Sequence, residues 1–205
     1  IIKKKENKLE FAIITNLNSG ISEIFEPDKP LSKDFEIYKD QINFFYQNKK
    51  NGILKNSNIF IEVYLRPRKV IVVGAVHIAQ HLINYSKNLN FEIIIIDPRR
   101  YFVANQKFQE IKIINKWPTE AFNEINTNRN TALITLSHDA KIDDVALQLA
   151  LKKNFYYIGA LGSQKTHKIR CQRLRDAGFK EDQINSIHGP IGIKLGGKAP
   201  AEIAL

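Results

Sequence analysis

Residues able to bind a ligand follow three apolar runs in this sequence. Gly74 and His77 come after the first run, Asp97 ends the second, and His138 and Asp139 follow a later one. An imidazole can bind a metal or exchange a proton near neutral pH, and a carboxylate can accept hydrogen bonds from a ribose. If these runs are neighbouring parallel strands, the side chains meet at one edge of a sheet, where such folds bind ligands.

The loop after the first run is an altered form of a phosphate-binding fingerprint. Gly-x-Gly-x-x-Gly of dinucleotide-binding folds is replaced by Gly74-Ala75-Val76-His77-Ile78-Ala79. Alanine is accepted at the third glycine position, but Val76 places a branched side chain where a pyrophosphate would approach the backbone. We therefore expect a nucleotide-binding fold whose ordinary ligand is excluded or repositioned.

A second phosphate-binding loop is predicted where Gly162 and Ser163 follow the fifth strand. Ser163 is placed to cap a helix beginning at Gln164, and the N–H groups of a helix N-terminus can hold a phosphate. Gly178 is expected to end this helix in the left-handed conformation. The helix also carries basic side chains, which more often form a solvated face than a ligand clamp; they are Lys165, Lys168, Arg170 and Arg173.

Strands and helices alternate from Lys69 onward, which predicts a doubly wound, mainly parallel α/β sheet of strand order 3-2-1-4-5. The predicted strands are Val70–Val73, Phe91–Ile96, Ile111–Ile114, Thr131–Leu136 and Tyr156–Ile158. The predicted helices cover roughly 77–88, 118–125, 143–152 and 164–178, and a last helix begins at Pro200.

Residues 1–65 are expected to form a separate, small β-rich domain. Short apolar runs alternate with turn-forming segments, and Asn51-Gly52 is a strong hairpin signal, so we predict an antiparallel meander. Its predicted strands include Phe35–Tyr38 and Ile42–Tyr46. Arg66-Pro67-Arg68 interrupts the pattern, which gives domains of 1–65 and 66–205.

Bulk composition is that of a globular protein with one or two domains. The 205 residues include a single cysteine, Cys171, which rules out an internal disulfide, favours the cytoplasm, and is expected to be a small core residue. We expect no membrane partner, since no apolar run reaches spanning length. The sequence contains no Met, so we expect it to lack its start.

Several other functions are compatible with parts of the pattern. Residues 1–65 hold ten Lys and nine Asp or Glu, so nearly all of the net charge of +10 belongs to the second domain. This suggests an anionic partner, but no nucleic-acid-binding motif accompanies it, and we expect none. His77 and His81 have the spacing of a zinc helix without its glutamate, and His138-Asp139 alone does not make a phosphohydrolase site. An NAD(P)-dependent oxidoreductase stays an alternative because of the strand–loop–helix and Asp97.

The motifs together resemble the XdhC/CoxI family of maturation factors for molybdenum hydroxylases, over about residues 66–205. The segments that carry the resemblance are Gly-Ala-Val-His-Ile-Ala-Gln (74–80), Asp-Pro-Arg (97–99), Thr-Leu-Ser-His-Asp-Ala-Lys-Ile-Asp-Asp (135–144), Tyr-Ile-Gly-Ala-Leu-Gly-Ser (157–163), Thr166-His167, Arg170, His-Gly-Pro-Ile-Gly (188–192) and Pro-Ala-Glu-Ile-Ala (200–204). The resemblance implies a Rossmann-like domain. This sequence departs from the family pattern at Lys194, where an aspartate is usual.

The resemblance further implies an accessory factor rather than an enzyme. It would bind molybdenum cofactor (molybdopterin) transiently, protect it while its terminal sulfur is installed, and deliver it to the apoenzyme of a xanthine or carbon monoxide dehydrogenase. A cysteine desulfurase and a second copy of the chain are further partners to be tested. By carry-over, the cofactor-binding residues are Gly74, His77, Asp97, Arg99, His138, Asp139, Gly162, Ser163 and Arg170, with no resident metal and no catalytic residue.

Overall fold

A computed structural model describes residues 9–100, 108 and 111–205. The chain divides into two compact units, Ile1–Pro67 and Arg68–Leu205. The division lies within the Arg66-Pro67-Arg68 segment, because Arg68 already begins a strand of the second unit.

The first unit is built on an antiparallel sheet, with strand order β2-β1-β4-β3 among the described residues. Its strands are β1 (Phe11–Asn16), β2 (Ser22–Phe25), β3 (Gly52–Ile53) and β4 (Ile59–Tyr64). The sheet confirms a small β-rich unit. It is not a meander, however, because β1 pairs with β4, and Asn51-Gly52 lies at the start of β3 rather than in a hairpin turn.

Two segments of this unit that were expected to be strands are helices instead. These are α1 (Lys33–Glu36) and α2 (Lys39–Gln47). The prediction for Phe35–Tyr38 and Ile42–Tyr46 is therefore wrong. The reason is the spacing of the apolar residues, which follow one another at three or four positions, the period of a helix face. Phe35 and Ile42 are fully buried on that face.

The second unit contains a parallel sheet that confirms the predicted α/β fold. Its described strands have the order β10-β9-β8-β5-β6-β7, so the expected order of the first five is confirmed. They are β5 (Arg68–Val73), β6 (Phe91–Ile96), β7 (Lys112–Ile114), β8 (Thr131–Thr135), β9 (Tyr157–Ala160) and β10 (Ile187–His188). The sequence pattern does not predict β10, because two residues are too short a run to show a period.

Helices cover both faces of this sheet. They are α3 (His77–Ser86), α4 (Pro118–Ala121), α5 (Ala140–Leu151), α6 (Gln164–Asp176), α7 (Glu181–Asn185) and α8 (Pro200–Ala204). Gly178, which follows the C-cap residue Ala177 of α6, has φ +86°, as expected for a helix end. None of the helices among the described residues has the length and apolar composition of a membrane span.

The core explains the isoleucine run of β6. Ile94 and Ile96 belong to one buried cluster, whereas Ile93 and Ile95 belong to another on the opposite face of the sheet. Successive strand residues point to opposite faces, so a strand covered on both faces must be apolar throughout. Cys171 is half-buried and packs against the first of these clusters.

Candidate functional site

The ends of β5 and β8 are in direct backbone contact at Gly74. This residue has φ +112°, and a Cβ atom placed on it would lie only 2.6 Å from the backbone N of Ser137 and 2.7 Å from its Cα. Leu136 N–H donates to the carbonyl of Val73 at 2.7 Å, which holds the two strand ends together. Glycine is therefore required here for both conformation and space.

Asp97 is fully buried beneath the altered glycine loop and hydrogen-bonds to that loop. Its Oδ2 accepts the Ala75 N–H at 2.7 Å. Arg99 donates to both carboxylate oxygens, from Nε at 2.9 Å and from Nη2 at 2.8 Å. These hydrogen bonds raise the pKa of Arg99. Since a buried carboxylate requires such partners, Asp97 and Arg99 form a frame that fixes the loop.

The glycine loop has its Ala75 N–H engaged by Asp97, whereas the helix that follows has no side-chain cap. Val76 occupies the N-cap position of α3 without a side-chain cap, and its half-buried side chain packs against the core. His77 is the first helical residue and is exposed. The Ala75 N–H, which belongs to the loop that ordinarily holds a pyrophosphate, is already occupied by Asp97.

Ser137 connects this frame to the next loop. Its carbonyl accepts from Arg99 Nη1 at 3.3 Å, and its Oγ donates to Asp143 Oδ1 at 2.6 Å. Burial raises the pKa of Asp143, although the hydrogen bonds from Ser137 oppose this effect. His138, which follows, is exposed and has φ +61°, while Asp139 caps α5 by accepting the Lys141 N–H at 2.9 Å.

The loop between β9 and α6 forms the second ligand-facing wall. Ser163 is the N-cap of α6 and accepts the Thr166 N–H at 3.1 Å, as predicted. Gly162 has φ +147°, and a Cβ atom there would lie 3.2 Å from Thr166 Cβ and 3.7 Å from Arg170 Nη2. The loop backbone and the Arg170 guanidinium are therefore neighbours.

Arg170 is buried, with only 3% of its surface exposed. Its Nη2 donates to the Leu161 carbonyl at 2.8 Å, and its Nη1 lies 3.5 Å from His167 Nδ1. Its Nε has no hydrogen-bond partner among the described residues. Burial lowers the pKa of Arg170. A buried guanidinium with an unsatisfied N–H is less stable than one whose donors are all paired.

A cavity of about 530 Å³ lies between these loops. Its lining residues belong to α3, to α5 and the loop before it, to α6 and the loop before it, and to α8. The residues are Ile78, His138, Ala140, Asp143, Asp144, Leu161, Gly162, Ser163, Thr166, Ile169, Arg170, Arg173 and Ile203. The volume is within the range of small-molecule sites, roughly 300–1,000 Å³.

The structure brings together only some of the residues predicted for the site. Among the nine, the cavity is lined by His138, Gly162, Ser163 and Arg170. The other five are not in the lining: Asp97 and Arg99 form the frame that fixes the glycine loop, Gly74 lies where the ends of β5 and β8 meet, Asp139 caps α5, and His77 is exposed beside the lining residue Ile78.

Several residues of the site are missed by sequence reasoning. Ser137, Asp143, Asp144 and Arg173 are not among the nine residues predicted for the site. In the structure Asp143 accepts hydrogen bonds from Ser137, and Asp144 is paired with Arg173. The described residues contain no cluster of three or more His, Cys, Asp or Glu side chains suited to a metal ion.

Comparison with known proteins adds three findings. The sequence model described as the XdhC Rossmann domain matches residues 70–205. The chain is 37% identical over 81 residues to the molybdenum cofactor insertion chaperone PaoD of Escherichia coli, which covers 40% of this chain and 25% of PaoD. It is 24% identical over 152 residues to a probable xanthine dehydrogenase subunit of Bacillus subtilis, covering 74% of this chain and 44% of the relative.

A solved structure has the same fold. It is described as a xanthine dehydrogenase from Bacillus halodurans, and it matches 95% of this chain and 58% of its own with a TM-score of 0.70 and 20% identity. The chain thus spans less than half of the length of the two relatives above and somewhat more than half of this structure.

Proposed function

The chain belongs to the family of the XdhC Rossmann domain, and from this we propose that it binds molybdenum cofactor and delivers it to a molybdenum hydroxylase of the xanthine or carbon monoxide dehydrogenase type. The name of the relative PaoD, a molybdenum cofactor insertion chaperone, supports the proposal. The cofactor is cargo in this proposal, so the chain acts as a carrier and not as an enzyme.

The observation that carries the proposal is the cavity with its buried cation. Molybdenum cofactor is a pterin that carries a phosphate ester and an oxidisable metal bound by its dithiolene sulfurs. The guanidinium of Arg170, which lines the cavity, fits the phosphate, and the apolar side chains of Ile78, Ile169 and Ile203 fit the flat pterin ring. His138 supplies an imidazole, a common metal ligand, from another wall.

The remaining residues of the site hold this cavity in shape. Asp97 and Arg99 fix the loop below it, Ser137 links that frame to Asp143, and Gly74 allows the two strand ends to meet. In this proposal they position the walls and do not contact the cargo. Rigid walls favour binding because less conformational freedom is lost when the ligand enters.

Delivery requires partners that recognise the loaded chain. We propose the hydroxylase apoenzyme as the recipient and a cysteine desulfurase as the source of the terminal sulfur, with the exchange in the cytoplasm. The loop before α8 contains Ile193 and Leu195, which are 86% and 60% exposed. Exposed apolar side chains of this kind are typical of contacts between proteins.

Anaerobic gel filtration tests the proposal. Purified protein is mixed with molybdenum cofactor, and the pterin is measured by its fluorescence after oxidation of each fraction. We expect the pterin to co-elute with the protein. A calorimetric titration with NAD(H) and NADP(H) is the control for the oxidoreductase alternative. Elution of the pterin only as free cofactor, together with micromolar binding of either nucleotide, would overturn the proposal.

A further inference from the structure

We propose that the phosphate end of the cargo is held at the N-terminus of α6 by Arg170, and not at the glycine loop before α3 where this fold ordinarily holds a phosphate. This inference rests on the proposed function and assigns an orientation to the cargo. It places the pterin ring toward Ile78 and His138, which line the same cavity from α3 and from the loop before α5.

The glycine loop before α3 has one of its N–H groups engaged by a buried carboxylate of the protein itself. The Ala75 N–H donates to Asp97, whose carboxylate also accepts both guanidinium donors of Arg99. Asp97 is fully buried, so its carboxylate lies inside the protein and not on the wall of the cavity. The branched side chain of Val76 then stands at the N-cap of α3. A phosphate there would lack the Ala75 N–H, which Asp97 occupies, and would meet the branched side chain of Val76.

Arg170 differs from the other arginines of α6 in its surroundings. Among the described residues Arg173 and Arg175 are paired with Asp144 and Glu181, but no ion pair within 4.0 Å involves Arg170. Arg170 is also the most deeply buried of the three and keeps an unsatisfied Nε. Asp143 and Asp144 oppose the lowering of the Arg170 pKa by burial, but neither forms an ion pair with it within 4.0 Å, so an anion entering the cavity can pair with the guanidinium directly.

Helix α6 presents its N-terminus to the same place. The helix is 13 residues long, and the N–H groups of a first turn have no partners within the helix. Ser163 satisfies only that of Thr166. Gly162 lies next to the guanidinium, so a single phosphate can reach both the backbone of this loop and Arg170. Helix dipole and guanidinium then act on the same anion.

Two carboxylates in the lining determine where the anion can lie. Asp144 is paired with Arg173, and Asp143 accepts hydrogen bonds from Ser137 while burial raises its pKa. Both belong to the wall formed by α5. Arg173 offsets the charge of Asp144, so the carboxylate of Asp143 is the group that disfavours a phosphate against the wall formed by α5.

The test compares two probes that differ only in the phosphate. They are the oxidised, fluorescent pterin of molybdenum cofactor with its phosphate monoester intact, and the same pterin after treatment with alkaline phosphatase. Each is titrated into the whole chain as wild type, Arg170→Gln and Arg175→Gln. Arg175 is the matched control, because it lies on the same helix, exposed and outside the cavity.

We expect wild-type protein to bind the phosphorylated pterin roughly 10- to 100-fold more tightly than the dephosphorylated one, as one or two charged hydrogen bonds would give. Arg170→Gln should lose most of this difference, while Arg175→Gln should retain it. Equal affinity of wild type for the two pterins overturns the phosphate site but leaves the proposed function standing. Failure to bind either pterin overturns both.

A measurement on the wild type alone guards against misfolding of the variant. Backbone N–H resonances are followed by NMR during addition of the phosphorylated pterin and of inorganic pyrophosphate. We expect shifts at Gly162, Gln164 and Lys165, with those of Ala75 and His77 smaller. Larger shifts at Ala75 and His77 would place the phosphate at the glycine loop and overturn the inference.

Discussion

Replacing Gly74 by alanine tests whether the ends of β5 and β8 touch through their backbones. The new Cβ atom would lie 2.6 Å from Ser137 N and 2.7 Å from Ser137 Cα. Backbone atoms cannot rotate away as a flexible side chain can, so one strand end must move. The residue would also be held at φ +112°, which is unfavourable for alanine.

The expected loss of stability has two parts. The backbone strain contributes about 1–2 kcal/mol. Displacing packed backbone adds about 1–3 kcal/mol, as for other overpacked sites. Gly178→Ala is the matched control, because Gly178 has φ +86° and an added Cβ would find no atom within 4 Å. It should show only the strain, so we expect G74A to lose about 1–3 kcal/mol more than G178A.

Urea unfolding followed by tryptophan fluorescence measures this difference. Trp117 is the single tryptophan of the sequence and belongs to the second unit, so its signal reports the unfolding of the unit that holds both glycines. Equal losses of unfolding free energy for G74A and G178A would refute the backbone contact between the two strand ends. The walls of the cavity would then lack the support that this contact gives them.

Three further substitutions probe the same unit. Asp97→Asn should lower the unfolding free energy by about 3 kcal/mol, because it removes the buried carboxylate that pairs with the Arg99 guanidinium. Arg175→Gln, which breaks the exposed pair with Glu181, should lower it by less than about 1 kcal/mol. Similar losses for the two variants in urea unfolding would contradict the frame formed by Asp97 and Arg99. Ser163→Ala should lower it by about 1 kcal/mol through loss of the N-cap, and no change would contradict the capping geometry. Burial raises the pKa of Asp143 above its ordinary value of 3.8, so the folded state binds the Asp143 proton more tightly than the unfolded state. Protonated Asp143 therefore contributes to stability below pH 3.8, and this contribution is lost as the pH rises through the pKa of the folded state. The stability advantage of Asp143→Asn over wild type should therefore grow as the pH rises above about 4, and an advantage that shrinks instead would contradict the sign.

Much of the fold is readable from the sequence because each strand of the second unit keeps a strong local pattern. The isoleucine run of β6 predicts a strand covered on both faces, and its bounds are as predicted. Short elements are not readable in this way. The two residues of β10 carry no period, and in the first unit the helical spacing around Phe35 and Ile42 is hidden by the short length of each apolar run.

The candidate site can be predicted from the sequence only where a residue type indicates a particular backbone conformation. Gly162 and Ser163 are predicted as a loop and a helix cap, and the structure has them so. The burial of Arg170 is not predicted, since a helix rich in Lys and Arg usually faces water. The hydrogen bond between Ser137 and Asp143 also cannot be predicted from the sequence, because it depends on how the end of β8 packs against the first turn of α5.

Protection and delivery of the cofactor give the most direct test of the proposed function. Molybdenum cofactor is kept in air for a fixed time, either free, or with the whole chain, or with an equal mass of an unrelated protein, and is then offered to a hydroxylase apoenzyme. We predict that cofactor held by this chain restores hydroxylase activity after an exposure that inactivates the free cofactor. Recovery no better than with the unrelated protein would contradict the carrier role.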